Sequence, residues 1–120
     1  MKTLKNKPQH EFFTWLYGRS ARNAHIREMA EKAIQILKEK QSMEYTELSK
    51  ALGIGFDRYQ KPKRTFYFVV NPLKKVKLIK EKRVYYGKGK RKYKTHYFLT
   101  PSEFKGYITR VIEEFLEKLK

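Results

Sequence analysis

"NPLKKVKLIKEKRVYYGKGKRKYKTHYFLT" runs from Asn71 to Thr100. Its last third alternates, with Tyr93, Thr95, Tyr97 and Leu99 on one side and Lys94, His96 and Phe98 on the other. Period-two alternation marks a strand with two unlike faces. Leu78 to Tyr86 also reads as a strand, and GKGKRK lies between the two. The stretch therefore predicts a β-hairpin with a basic tip.

The approach to the hairpin is harder to read. Asp57 with Gln60 three residues later has the spacing of a helix capping box. Pro62 cannot sit inside a helix, so it is expected to open one. Phe66, Val69, Val70, Leu73 and Val76 then form a stripe at helical spacing. Lys63, Arg64, Tyr67, Asn71 and Lys74 share the other face. The rival is a strand from Thr65 to Val70 with a turn at Asn71-Pro72, because TFYFVV is rich in strand formers. The helix is the preferred reading, with a kink or break near Pro72.

Further upstream, residues 1–7 are lysine-rich and expected to form a mobile arm. Phe12, Trp15 and Leu16 at i, i+3, i+4 predict a short helix that starts near Pro8 and ends at Gly18. Residues 21–41 predict a full helix, with Ile26, Met29, Ala30, Ala33, Ile34 and Leu37 inward. Ser42 to Tyr45 can pair as a brief strand. Thr46 is the expected N-cap of a helix from Glu47 to Leu52, with Leu48, Ala51 and Leu52 inward and Gly53 and Gly55 ending it.

Downstream, "TPSE" predicts a helix start: Thr100 caps, Pro101 takes the first position, and Glu103 completes a capping box. Phe104, Tyr107, Ile108, Val111, Ile112, Phe115, Leu116 and Leu119 make a stripe wider than one small domain needs. Phe104, Ile108, Val111, Phe115 and Leu119 are therefore expected to pack on a second copy, giving a homodimer. The expected organisation is a basic arm and short aromatic helix over 1–20, a folded domain over 21–100, and an amphipathic helix over 101–120.

The chain has 120 residues and a formal net charge of +17. Residues 58–94 hold 15 Lys and Arg against one acid, Glu81, so this segment alone carries +14. The segments on either side are close to neutral. Solubility alone does not require such asymmetry, and an anionic partner does; nucleic acid is the first to consider. Apolar residues make up 40% of the chain, enough for one modest core.

Several chemistries find no support. With no cysteine there is neither a disulfide nor a thiolate zinc site. GKGKRK lacks the GxxxxGK[ST] pattern, and a strand rather than a helix follows it. His10, His25 and His96 match no metal-ligand spacing. Glu113 and Glu114 belong to a wet helix face rather than an acid–base pair. No apolar run nears the ~20 residues of a spanning helix. The start lacks an uninterrupted apolar core for a signal peptide. The expectation is a cytoplasmic, nucleoid-associated protein without catalytic residues, metal or cofactor, and without a membrane partner.

The order of helix, short strand, helix, helix, hairpin and helix resembles the winged helix-turn-helix domain of small prokaryotic, especially archaeal, DNA-binding regulators. The Asn71–Thr100 stretch carries the resemblance. It is similar to the passage in which a recognition helix ends in Leu-Lys-Lys-x-x-Leu-Ile and enters the wing. The resemblance covers roughly residues 26–100 and leaves both end helices as additions. The segment between the second and third helices is long for the family, and Pro72 falls within the third. The resemblance implies an α+β fold, with a three-helix core, a β-hairpin wing and extra N- and C-terminal helices. It also implies binding of double-stranded DNA. Lys63, Arg64, Tyr67 and Asn71 would enter the major groove, and Lys74 and Lys75 would reach phosphates. Lys88, Lys90, Arg91, Lys92 and Lys94 of the wing would follow the backbone or minor groove. Two other classes stay open: an architectural, single-strand or RNA-binding protein using the hairpin tyrosines, and an adaptor subunit of a larger nucleic-acid assembly.

Overall fold

The computed structural model describes residues 11–87 and 92–120. The arm at 1–7, His10, and Lys88, Lys90 and Arg91 of the hairpin tip lie outside the described residues.

Residues 11–17 form the first helix, α1. The Gly18 amide donates to the Thr14 carbonyl at 2.8 Å. Its φ of +89° is one that a residue with a Cβ adopts at a cost of about 1 kcal/mol. The inward residue differs from expectation. Phe13 is buried, while Trp15 is 62% exposed. Tyr17 lies one turn after Phe13 and decides the rotation of the helix, because its hydroxyl donates to the Val69 carbonyl.

A 3-10 turn at Ala21–Asn23 leads into α2 (Ala24–Lys40). Ile26, Ala30, Ala33 and Leu37 are buried along one side, as the period requires. Arg27 ties the entry to α1 by donating from Nη1 to the carbonyls of Gly18 at 2.7 Å and Ser20 at 2.9 Å. Strand β1 (Ser42–Glu44) follows, then α3 (Tyr45–Ala51).

The cap of α3 lies two residues before the expected Thr46. Glu44 accepts from the Thr46 amide at 3.1 Å and also from the Thr46 hydroxyl. A carboxylate suits the positive end of a helix and satisfies both donors, so the helix starts at Tyr45 rather than Glu47. Leu48 and Leu52 are buried, and Ala51 is half-buried.

The expected capping box at Asp57 is a loop. Asp57 Oδ1 accepts from the amides of Tyr59 at 2.8 Å and Lys61 at 3.1 Å, and Gln60 takes a φ of +63°. An aspartate that bonds amides two and four residues on closes a turn instead of starting a helix. Pro62 pairs with Phe56 across this loop and precedes the next helix, α4 (Arg64–Lys75), instead of opening it.

Residues 64–75 are helical and the rival strand is absent. Phe66, Val69, Val70 and Leu73 are each 0% exposed, which only a 3.6-residue period can place on one buried side. The expected break at Pro72 does not occur, and the helix runs on to Lys75. Pro72 has no N–H for the Phe68 carbonyl, but Phe68 lies on the outer side, open to water. An interior proline costs ~3 kcal/mol. Burial of four large side chains, at roughly 1.5–3 kcal/mol each, outweighs it.

The end of α4 aims the hairpin. Leu78 N–H donates to the Leu73 carbonyl at 3.0 Å and Lys77 N–H to the Lys74 carbonyl at 3.0 Å. Lys77 sits at φ +68°. This is the crossed pair of bonds of a Schellman stop, here without its usual glycine. Strands β2 (Ile79–Tyr85) and β3 (Tyr93–Leu99) follow. They pair antiparallel from Ile79 opposite Leu99 to Tyr85 opposite Tyr93. β1 adds to the far edge of β3, so the sheet order is β1-β3-β2.

Helix α5 (Pro101–Lys118) completes the fold. Thr100 stands at its cap position, but the expected capping box is not formed. The Thr100 hydroxyl donates to the Lys77 carbonyl at 2.7 Å, a group turned out by the left-handed bend. Glu103 instead pairs with Lys80 at 2.9 Å. The chain is thus an α+β protein with a three-stranded antiparallel sheet. Among the described residues no helix is long and apolar enough to cross a membrane.

Candidate nucleic-acid interface

The buried stripe of α4 fixes what its opposite side offers. Arg64, Tyr67, Phe68, Asn71 and Lys75 lie on the outer side and are exposed. Lys63 is the N-cap residue, so it precedes that face rather than sharing it. Its amide donates to the Gly55 carbonyl at 3.0 Å, and its side chain folds back over Gly55. No side chain caps α4 and its first turn holds no acid. The positive helix end therefore adds to the field of Lys63 and Arg64.

Lys74 reaches across to the hairpin. Its Nζ lies 3.0 Å from Oε1 of Glu81, and both side chains are partly exposed. Glu81, the single acid of the basic segment, also faces two tyrosines. Burial raises the pKa of Tyr67 first, and the charges of Tyr45, Asp57 and Glu81 add to it. Tyr97 is pushed up more strongly, again first by burial. Tyr97 packs on Phe66 with ring centres 5.9 Å apart. Phe66, Tyr97 and the Lys74–Glu81 pair together hold the base of the hairpin against α4.

Beyond that base the hairpin leaves the core. Glu81, Arg83 and Tyr85 share one face with Tyr93, Thr95 and Tyr97, as the register requires. Lys80, Lys82 and Val84 share the other with Lys94, His96 and Phe98. The Arg83 guanidinium stands 4.5 Å from the Tyr93 ring centre, and Lys94 Nζ 5.8 Å from that of Tyr86. The pKa of Arg83 is raised, first by the Tyr85 side chain. Of the expected wing cations, Lys92 and Lys94 are described and exposed.

Of the five residues expected to bind a second copy, three (Phe104, Ile108 and Val111) lie toward the rest of the chain. Phe104 meets Phe12 edge-on at 5.6 Å, and Ile108 lines a groove of about 550 Å³. Trp15, Pro72, Lys75 and Val111 line the same groove, and so does Asn71. Val111, Phe115 and Leu119 are 41%, 60% and 65% exposed.

Three outward residues were not singled out from the sequence. Phe68 was hidden by strand-forming neighbours, although its helical angle places it between Arg64 and Lys75. Arg83 had a signal in the alternation of β2 opposite β3. Arg58, stacked 5.0 Å from the Tyr59 ring in the loop, had none beyond its place in the basic segment.

Among the described residues no group of His, Asp and Glu is arranged to hold a metal ion. No protein-family model and no curated protein matches the chain.

Proposed function

We propose that this chain is a winged-helix protein that binds double-stranded DNA and regulates transcription at the nucleoid, without catalysis or cofactor. One observation carries the reading: α4 buries one side completely and turns Arg64, Tyr67, Asn71 and Lys75 outward, next to a hairpin of basic strands. Helices α2, α3 and α4 with a sheet of order β1-β3-β2 are compatible with that fold.

The division of labour follows from chemistry. Arg64 suits a guanine edge and Asn71 an adenine edge, each by two hydrogen bonds. Tyr67 and Phe68 offer apolar contact to a thymine methyl group. Lys75, Lys92 and Lys94 reach phosphates, as do Lys88, Lys90 and Arg91 at the tip. Strands of seven residues extend about 20 Å, enough to follow the backbone beside an occupied major groove. The test is a salt series of binding to random duplex, with an affinity that falls steeply as salt rises.

The DNA-binding unit is a homodimer joined through α5. Its outer half exposes Val111, Ile112, Phe115, Leu116 and Leu119, a continuous apolar stripe that water does not favour. Residues 95–120 carry no net charge, so two α5 helices can meet without net charge repulsion between them.

A further inference from the structure

We propose that Tyr86, with Lys94 beside it, forms a stacking site for an unpaired nucleobase, a second nucleic-acid activity at the outer end of the hairpin. The site shares Lys94 with the duplex reading but uses no residue of α4, so its ring can be tested separately.

The four hairpin tyrosines look alike in sequence, and the structure divides them. Tyr97 is 3% exposed and belongs to the core. Tyr85, Tyr86 and Tyr93 are 54%, 51% and 37% exposed and lie beyond it. Large aromatic rings held in water gain little from folding. Tyr85 and Tyr93 pair across the strands with ring centres 5.6 Å apart, which steadies the hairpin. That leaves Tyr86 unexplained. It follows the last ladder pair, and among the described residues no other aromatic ring packs on it.

The cations complete the chemistry. Arg83 lies over Tyr93 on one face of the hairpin, and Lys94 beside Tyr86 on the other. A ring for a base with a cation next to it for the adjoining phosphate is the combination that binds single strands without sequence preference. A duplex cannot use it, because bases within the stack have no free face. A gap or a single-stranded tail, whose bases are unpaired, can.

The experiment compares three probes: a blunt duplex, the same duplex with an oligothymidylate tail, and the same duplex with an oligouridylate tail. One stacked base is expected to tighten binding to the tailed duplex by about tenfold. Tyr86→Ala should remove that gain and leave the blunt duplex unchanged. Tyr86→Phe keeps the ring and should retain the gain. A gain with both tails supports recognition of the base face alone; a gain with only one supports the site and assigns its strand as DNA or RNA. The proposal is overturned if neither tail tightens binding, or if Tyr86→Ala weakens blunt and tailed probes equally. If only the tailed duplexes bind and the blunt duplex does not, the stacking site stands and the duplex reading fails.

Discussion

Lys74 and Glu81 meet at 3.0 Å across the junction of α4 and β2. The pair joins the outward face of the helix to the base of the hairpin and places the only acid of residues 58–94 between them. A partly exposed ion pair of this kind contributes only ~0–1 kcal/mol to stability. Its larger consequence is electrostatic, since Glu81 neutralises a lysine that, on the proposed reading, would otherwise face phosphate. Replacing Glu81 with Gln is expected to leave the fold intact and tighten binding to random duplex. The slope of log affinity against log salt should steepen by about 0.9, one added phosphate contact. An unchanged slope would show that Lys74 does not face DNA.

On the proposed reading, Arg64 reads bases and Lys92 holds phosphate. Arg64→Ala is expected to cost ~1–3 kcal/mol at a selected site and much less on random duplex. Lys92→Ala should weaken both alike and lower the salt slope by about one. Quantitative binding to the two DNAs checks this, and equal losses for Arg64→Ala on both would remove it from base recognition.

Phe115 stands at 60% exposure in the middle of the unpartnered half of α5. Light scattering at concentrations on the order of tens of micromolar is expected to give a dimer. Phe115→Glu should give a monomer with unchanged circular dichroism, because among the described residues Phe115 is exposed and lies outside the core. A monomeric wild type would refute the α5 interface.

Tyr17 links pH to stability. Burial raises its pKa above the ordinary value, and its hydroxyl donates to the Val69 carbonyl. The unfolded chain ionises this group near pH 10, where the folded chain still holds the proton. Its contribution is therefore complete below about pH 10 and lost as pH rises beyond it. Wild type should be more stable than Tyr17→Phe to urea at pH 8, and the difference should shrink above pH 10. A difference that stays constant to pH 11.5, or about that, would mean Tyr17 is not protected from ionisation.

How much of this was legible in the sequence depended on how many residues voted together. The stripe from Phe66 to Val76 offered five apolar positions at one period, and burial of all five overrode both the strand-forming TFYFVV and Pro72. The two faces of β3 followed from alternation over Tyr93 to Leu99, and the pairing with β2 from the two strands flanking the basic loop. Single-residue signals fared worse. Trp15 was expected inward, but the hydrogen bond from Tyr17 to a residue 52 positions away sets the rotation of α1. Thr100 has the composition of a cap, but a carbonyl freed by the bend at Lys77 takes its hydroxyl. Glu81 read only as an interruption of positive charge, because its partner Lys74 is brought near by the turn between them. In each case the deciding partner is distant in the chain or created by a backbone bend, and no local pattern records it.

The central claim is that the outward face of α4 and the basic hairpin form one surface for duplex DNA. Binding of the full chain to a random duplex, a single strand and double-stranded RNA across a salt series tests it most directly. The account predicts tight duplex binding with a slope corresponding to roughly six or more displaced counterions. Absence of duplex binding at moderate salt, or binding to double-stranded RNA in preference to duplex DNA, would contradict it.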